Sequence, residues 1–298
     1  MSTLATVNRD AHIHYLHPNR LPWREAVDDE ERDFLSRALV GAQGQEAKAV
    51  AYLYKELSQL AELEMHVSAV LVRVLCELQG EPAAPYGEGS ELYHALSCFA
   101  AEEINHANTF YRYVRELSGR DIKLTDNLFK ERIGLFAKDD SPMVKLAALC
   151  ATAYVGESLI TVFERRIKML DPEQRFFFTK LLHYHGLDEA RHIQSDHFVF
   201  DHIIPNLSSS ERIRMHELID ATEALNTELA IRSAAQIKTA FGTDYSSDNH
   251  SAAVQLKLAT AFRRIVQSGD LVVKVDNGLD PETAAEIADF SGLQRVHN

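Results

Sequence analysis

The stretch FTKLLHYHGLDEARHI, residues 178–193, decides the fold. Read at alternating steps of four and three, it yields Phe178, Leu182, His185, Glu189 and His192. Residues so spaced share one face of an α-helix. A carboxylate flanked by two imidazoles therefore lies on the same stripe as large apolar side chains. Turned to water, that face would expose Phe178 and Leu182. Turned to a core, it would bury a carboxylate, which costs about several kcal/mol unless something positive meets it. The stretch predicts a core helix with a charged layer built into it.

Three further runs share this construction. With only 13 glycines and 8 prolines in 298 residues, the chain has long intervals free of helix breakers. Gly80 closes a run that starts near Gln45. Ser90 caps one that ends at Gly119. Ser141-Pro142 opens a third, with proline at the first helical position, and Asp171-Pro172 repeats that signal before a run that ends at Pro205. The predicted helices are 45–79, 91–118, 142–170 and 172–204, each about 45 Å long at 1.5 Å per residue. A short Pro/Gly loop at 80–89 joins the first pair and almost none joins the second, so each pair is an antiparallel hairpin. The segment 118–141 is long enough to recross a bundle. Hairpin, crossover, hairpin is the connectivity of a ferritin-like four-helix bundle. The expected fold is all-α: this bundle plus additional C-terminal helices at about 210–241, 251–268 and after Asp280-Pro281. One short hairpin is expected at 271–275 before Asn277-Gly278. The chain is expected to form a single domain over 1–298. Within it lie an arm with one acidic helix near 28–40 (1–42), the core (43–205) and helices packed on that core (206–298).

The apolar stripes carry the chemistry. The first helix reads Leu53, Leu57, Leu60, Glu64, Val67, Leu71, Val74, and the second Leu96, Phe99, Glu103, His106, Phe110, Val114, Leu117. The third reads Leu146, Cys150, Ala153, Glu157, Ile160, Glu164, Ile167. Each has a carboxylate near its middle, and four acids converging on one core would repel one another. Two divalent cations supply four positive charges against Glu64, Glu103, Glu157 and Glu189. Glu-x-x-His alone is weak, since chance supplies about two acid-x-x-His pairs at this composition. Glu91/His94 is read as that chance pair, because Glu91 sits in a first helical turn and complements the helix dipole. The signal is the conjunction: Glu-x-x-His in mid-helix on helices two and four, with lone glutamates on one and three. Glu62 and Glu164 are rivals for the lone positions. Carboxylates and imidazoles without thiolates suit iron, or manganese as the lesser alternative.

The pattern resembles that of the diiron N-oxygenases typified by p-aminobenzoate N-oxygenase, the AurF-like proteins of the ferritin-like superfamily. The resemblance covers about 45–205. It implies a metal set of Glu64, Glu103, His106, Glu157, His185, Glu189 and His192, with His185 as the distinguishing extra ligand. It also implies that Asp188 holds a ligating histidine, with Arg191 completing Asp-Glu-x-Arg-His. By the same resemblance, two iron ions would activate O2 as a peroxo-diiron(III) species, with the diiron cluster itself as the catalytic group. That species would oxidise an amine of secondary metabolism, an arylamine becoming hydroxylamine or nitro. No flavin or NAD fingerprint is present, so an external ferredoxin or reductase would return the electrons, and a homodimer is expected. No lysine or arginine lies on the metal-facing stripe within a turn of Glu64, Glu103 or Glu157, which leaves the substrate-binding residues unassigned. A hydroxylase or desaturase of another small or carrier-bound substrate, a ferroxidase or iron-storage protein, a dimanganese catalase and a metal-free helical interaction protein are the alternatives.

A net charge of −13 argues against nucleic acid and anionic membranes as partners. Residues 1–9 lack a signal-type apolar segment. Three scattered cysteines, Cys76, Cys98 and Cys150, fit a reducing compartment, and the expected location is cytoplasmic. The run 143–163 carries Lys145 and Glu157 and reads as a core helix rather than a membrane span. Trp23 is expected to anchor the arm, Tyr154 to be a core tyrosine, and the acids of 28–33 to form a solvated helix start. His12, His14 and His17 of the arm carry only an adventitious metal reading.

Overall fold

A computed structural model describes residues 3–246 except 14 and 80–85, together with 249, 251–254, 256, 257, 259, 260, 281 and 285. Every described element is helical: α1 (Thr3–Asp10), α2 (Asp29–Leu35), α3 (Glu46–Gln79), α4 (Glu91–Ser118), α5 (Phe129–Phe136), α6 (Pro142–Leu170), α7 (Phe177–His202) and α8 (Ser209–Phe241), with short 3-10 and π turns between some of them. The fold is a ferritin-like all-α bundle. The α3/α4 and α6/α7 hairpins form the core, α8 packs on α6 and α3, and α1 lies across α4 and α7.

The caps set the helix ends as their chemistry requires. Ser90 accepts the Tyr93 amide at 3.1 Å and Ser141 the Val144 amide at 3.3 Å. Ser208 and Glu211 form a reciprocal capping box at the start of α8. Gly119 ends α4 in the left-handed region, at φ 67°.

Three expectations need correction. The fourth helix starts at Phe177, not at residue 172. The Asp171 carboxylate accepts the amides of Arg175 and Phe176, both at 3.0 Å, and so holds 171–176 as a turn instead of opening a helix. The cap of α7 comes from far away: Glu31 accepts Phe177 N–H at 2.8 Å and Phe178 N–H at 3.0 Å. Glu31 is therefore buried, unlike the solvated helix start expected for 28–33. The acidic helix itself is α2, continued by a π turn over Ser36–Val40. Finally, the crossover contains α5 and the arm contains α1, neither of which the breaker pattern marks.

Trp23 does anchor the arm. Its ring meets Phe177 with centroids 5.0 Å apart, and the Arg112 guanidinium lies 3.7 Å over it. Tyr154 is a buried core residue. α6 is long and apolar enough to cross a membrane, but 61% of its most apolar window is buried in the bundle. The helix expected over 251–268 is helical at its described residues, 251–254, 256, 257, 259 and 260, and its remainder lies outside the description. The hairpin at 271–275 falls outside the described residues, and of the helix after Asp280-Pro281 only 281 and 285 are described, both helical.

Two apolar clusters divide the bundle. One contains Val70, Val74, Leu96, Phe99, Leu146 and Phe200; the other contains Leu53, Leu57, Phe110, Val114, Phe178 and Leu182. On α3 the break between them falls at Glu64, on α4 at Glu103 to His106, and on α7 at His185 to Asp196. The charged layer lies between two hydrophobic clusters, which shield it from water above and below.

Candidate metal centre

All seven stripe residues are buried in that layer, none more than 7% exposed. Glu64, His106, His185 and Glu189 offer one group of converging donor atoms; Glu103, Glu189 and His192 offer a second. Glu189 belongs to both. Its Oε1 lies 2.8 Å from His185 Nε2 and 3.5 Å from His106 Nδ1, and its Oε2 lies 3.5 Å from His192 Nδ1. Glu103 Oε1 is 3.1 Å from His192 Nδ1, and Glu64 Oε1 is 3.3 Å from His185 Nε2. Glu157 faces Glu189, His192 and Asp196.

Each imidazole has an inner and an outer nitrogen. The inner ones face the carboxylates just named, and each outer one meets a further carboxylate. His106 Nε2 lies 2.8 Å from Asp188, His185 Nδ1 lies 3.3 Å from Glu164, and His192 Nε2 lies 2.8 Å from Glu102. An outer carboxylate takes the N–H and turns the inner lone pair toward the centre, which is how proteins orient histidines for a metal. Buried polar atoms without a hydrogen-bond partner include His106 Nδ1, His192 Nδ1, Glu64 Oε2, Glu157 Oε2 and Glu189 Oε2. Buried polar atoms are ordinarily satisfied. Here the orphans are lone-pair donors gathered in one layer, with His106 Nδ1 and His192 Nδ1 each 3.5 Å from a Glu189 oxygen, an arrangement that fits two cations.

The electrostatics of the cation-free chain agree. Burial pushes Glu64 and Glu103 up to about 7, and Asp196 likewise. Burial and the neighbouring Asp196 raise Glu157 well above the usual range. Burial works against charge on His185 and His192, yet Glu189 and the other acids hold both well above the ordinary histidine value. Protons stand where cations would otherwise balance the charge. Burial also disfavours the Asp188 anion, but the hydrogen bond to His106, the Leu16 amide at 2.7 Å and Arg191 at 2.5 Å keep it below its usual value.

The two rival glutamates have other partners. Glu62 points away from the layer and takes hydrogen bonds from Tyr111 and Asn127. Glu164 stands behind His185 as its outer partner. Asp188 lies against His106 and Arg191 against Asp188, while Glu102, Glu164 in this role and Asp196 had no place in the sequence reading. Glu102 bridges His192 and Arg191, the latter at 2.6 Å. Its adjacency to Glu103 was the one available signal.

A cavity of about 280 Å³ opens on Glu64, Glu103, Glu157 and Glu189. Its walls are mainly apolar, including Leu60, Val67, Leu159, Ile160 and Phe163. Glu223 and Asn226 of α8, with Ala252 and Leu256 further along, close one side, so residues beyond the bundle shape it. One cation at the cavity that the stripes do not mark is Arg132 of α5. It lines the cavity, is 4% exposed and bonds Asn226. Burial lowers its pKa to about 10 against the pull of Glu223.

Four glutamates and three carboxylate-backed histidines thus form one buried layer within this bundle. No protein-family model and no curated protein matches the chain. Among solved structures, it is similar to an R2-like ligand-binding oxidase variant with an anaerobically reconstituted Mn/Fe cofactor: TM-score 0.55, 15% identity, covering 91% of this chain and 94% of that one. A second variant, aerobically reconstituted with Mn/Fe, has TM-score 0.55 at 13% identity, with the same coverage. An R2-like ligand-binding oxidase with aerobically reconstituted Mn/Fe cofactor has TM-score 0.52 at 17% identity, covering 88% of this chain and 91% of that one. These likenesses establish the fold.

Proposed function

We propose that this chain is a non-haem dimetal oxygenase. The observation that carries the reading is the set of orphaned donor atoms, each imidazole among them backed by its own carboxylate. Glu64, His106 and His185 would hold one ion and Glu103, Glu157 and His192 the other, with Glu189 belonging to both donor groups. Redox-active ions held there would supply electrons for reduction of O2. The chain's own residues do the rest. The two apolar clusters exclude water, Asp188, Glu164 and Glu102 orient the imidazoles, and the cavity brings a substrate up to the carboxylate face.

The two half-sites differ. One has two imidazoles and the other has one with more carboxylate. Imidazole suits iron and carboxylate-rich sets suit manganese. The chain can therefore take iron in both positions or manganese on the Glu103/Glu157 side, and the Mn/Fe cofactors of the R2-like structures accord with the second choice.

The substrate proposed is an amine, oxidised at nitrogen. This rests on the seven-residue pattern with His185 as an added neutral donor, the arrangement that resembles the N-oxygenases. The electrons would come from an external ferredoxin or reductase, in a homodimer within a reducing compartment. The apolar cavity walls favour a second reading, oxidation of a C–H bond in an apolar substrate. The test is anaerobic loading with two Fe(II), or with Mn(II) and Fe(II), per chain, followed by O2 and parallel panels of arylamines and apolar carboxylic acids or hydrocarbons. A product bearing new oxygen on nitrogen supports the first reading, and oxygen on carbon the second. Binding of far fewer than two metals per chain overturns both.

A further inference from the structure

Outside the buried layer, a second cluster of metal-binding side chains lies where the arm crosses α4. His94 and Cys98 are four residues apart on α4 and share its outer face. His12, two residues beyond α1, lies over them. The two Nε2 atoms are 3.0 Å apart, and one nitrogen from each histidine and the Cys98 sulfur all lie within 4.8 Å of one another. Two neutral imidazoles presenting Nε2 to each other can share only one proton. A metal ion accepts both lone pairs. Zn–N bonds of about 2.0–2.1 Å at the tetrahedral angle put two nitrogens about 3.3 Å apart, and a thiolate at about 2.3 Å stands about 3.6 Å from each. The imidazole pair is within a few tenths of an ångström of that separation, and the sulfur, no more than 4.8 Å from either ring nitrogen, closes the rest by a side-chain rotation.

We infer that His12, His94 and Cys98 form a third, mononuclear site for a borderline-soft divalent ion such as Zn²⁺, with water as the fourth ligand, which staples the arm to α4. Cys98 binds as thiolate and releases one proton to solvent. The donor set, two imidazoles and a thiolate, differs in kind from the carboxylate-rich layer, so the two sites select different metals. The arm is already seated beside it. Leu4 and Val7 are buried in the core, and the Asn8 side-chain amide donates to Glu91 O at 3.0 Å. Four residues past His12, the buried Leu16 amide donates to Asp188, which holds His106. The staple thus lies one short segment from the hydrogen bond that orients a histidine of the buried layer. It gives His94, read in the sequence as part of a chance pair with Glu91, the place of one ligand in a site.

The test titrates Co²⁺ into chain whose buried sites are already loaded and freed of excess metal. The expected result is a thiolate-to-cobalt charge-transfer band in the near ultraviolet that saturates at one equivalent. It should vanish in Cys98→Ser, persist in Cys76→Ser and Cys150→Ser, and need at least about tenfold more Co²⁺ in His12→Ala and His94→Ala. Zn²⁺ should slow amide exchange over 11–16 in the unaltered chain and not in Cys98→Ser. A band that survives Cys98→Ser, is indifferent to both histidines, or never forms overturns the site. Stoichiometric binding with unchanged exchange over 11–16 overturns the staple. Neither readout depends on the oxygenase reading.

Discussion

Replacing Glu189 with alanine should uncouple both ions at once. Among the carboxylates of the layer, only this one approaches all three histidines, at 2.8 to 3.5 Å. An ion held at a hundred times its Kd stabilises the folded chain by about 2.7 kcal/mol, so two give about 5 kcal/mol. Unfolding entropy of about 2.1 cal/mol/K per residue over 298 residues is about 0.6 kcal/mol/K. Metal should therefore raise the Tm of the unaltered chain by about 9 °C. Loss of a bridging anion that weakens each ion about a hundredfold leaves about 0.4 kcal/mol apiece, a rise of about 1 °C. The assay compares Tm with and without metal within each protein, alongside metal content after desalting. Using the difference cancels the effect of the substitution on the metal-free chain, where Glu189 also partners the protonated His185 and His192. A Glu189→Ala protein that keeps two ions per chain and the full rise would refute the shared-ligand geometry.

Asp188→Asn should weaken metal binding about 10- to 100-fold with the helical spectrum unchanged, because His106 loses the anion that turns it inward; competition with a chelator measures this. A β-carbon added at Gly186 would lie 2.0 Å from Glu164 Oε2. Gly186→Ala should therefore push Glu164 off His185 and lower metal affinity about tenfold, even though alanine favours the helix by up to about 1 kcal/mol. In the double variant with Glu164→Ala the two losses should not add, which chelator titration of all three proteins decides. Glu31→Ala should cost about 2–4 kcal/mol in denaturant unfolding, since two amides at the start of α7 and the Tyr113 hydroxyl lose their acceptor. Burial lifts Glu31 from its ordinary 4.5 to about 7, so the folded chain binds more protons than the unfolded chain between those values. Its contribution to stability is complete below about pH 4.5 and is lost as pH rises through 7. The stability of metal-loaded Glu31→Gln should show a flatter fall across that window, and parallel curves for the two proteins would contradict the shift.

The four rods and the inner donors were legible because both are local. Ser90, Gly119 and Ser141-Pro142 act on amides and carbonyls within a turn or two, and steps of three and four put Glu103 with His106, and His185 with Glu189 and His192, on single helix faces. Where a cap came from elsewhere, the reading slipped. Asp171-Pro172 looks like a helix start, but its carboxylate serves a turn, and α7 is capped by a residue of α2. The same division runs through the site. The stripe named the side chains that point inward, and Asp188 was legible as part of a contiguous motif. Glu102, Glu164 and Asp196, which stand behind or beside the inner donors, and Arg132 at the cavity wall, were given no such place by any spacing. The hydrogen bond from Leu16 spans 172 residues of chain to reach Asp188. Helical periodicity encodes which way a side chain points from its own axis. It does not encode which group on another helix lies 3 Å beyond it, because that distance depends on how the rods pack.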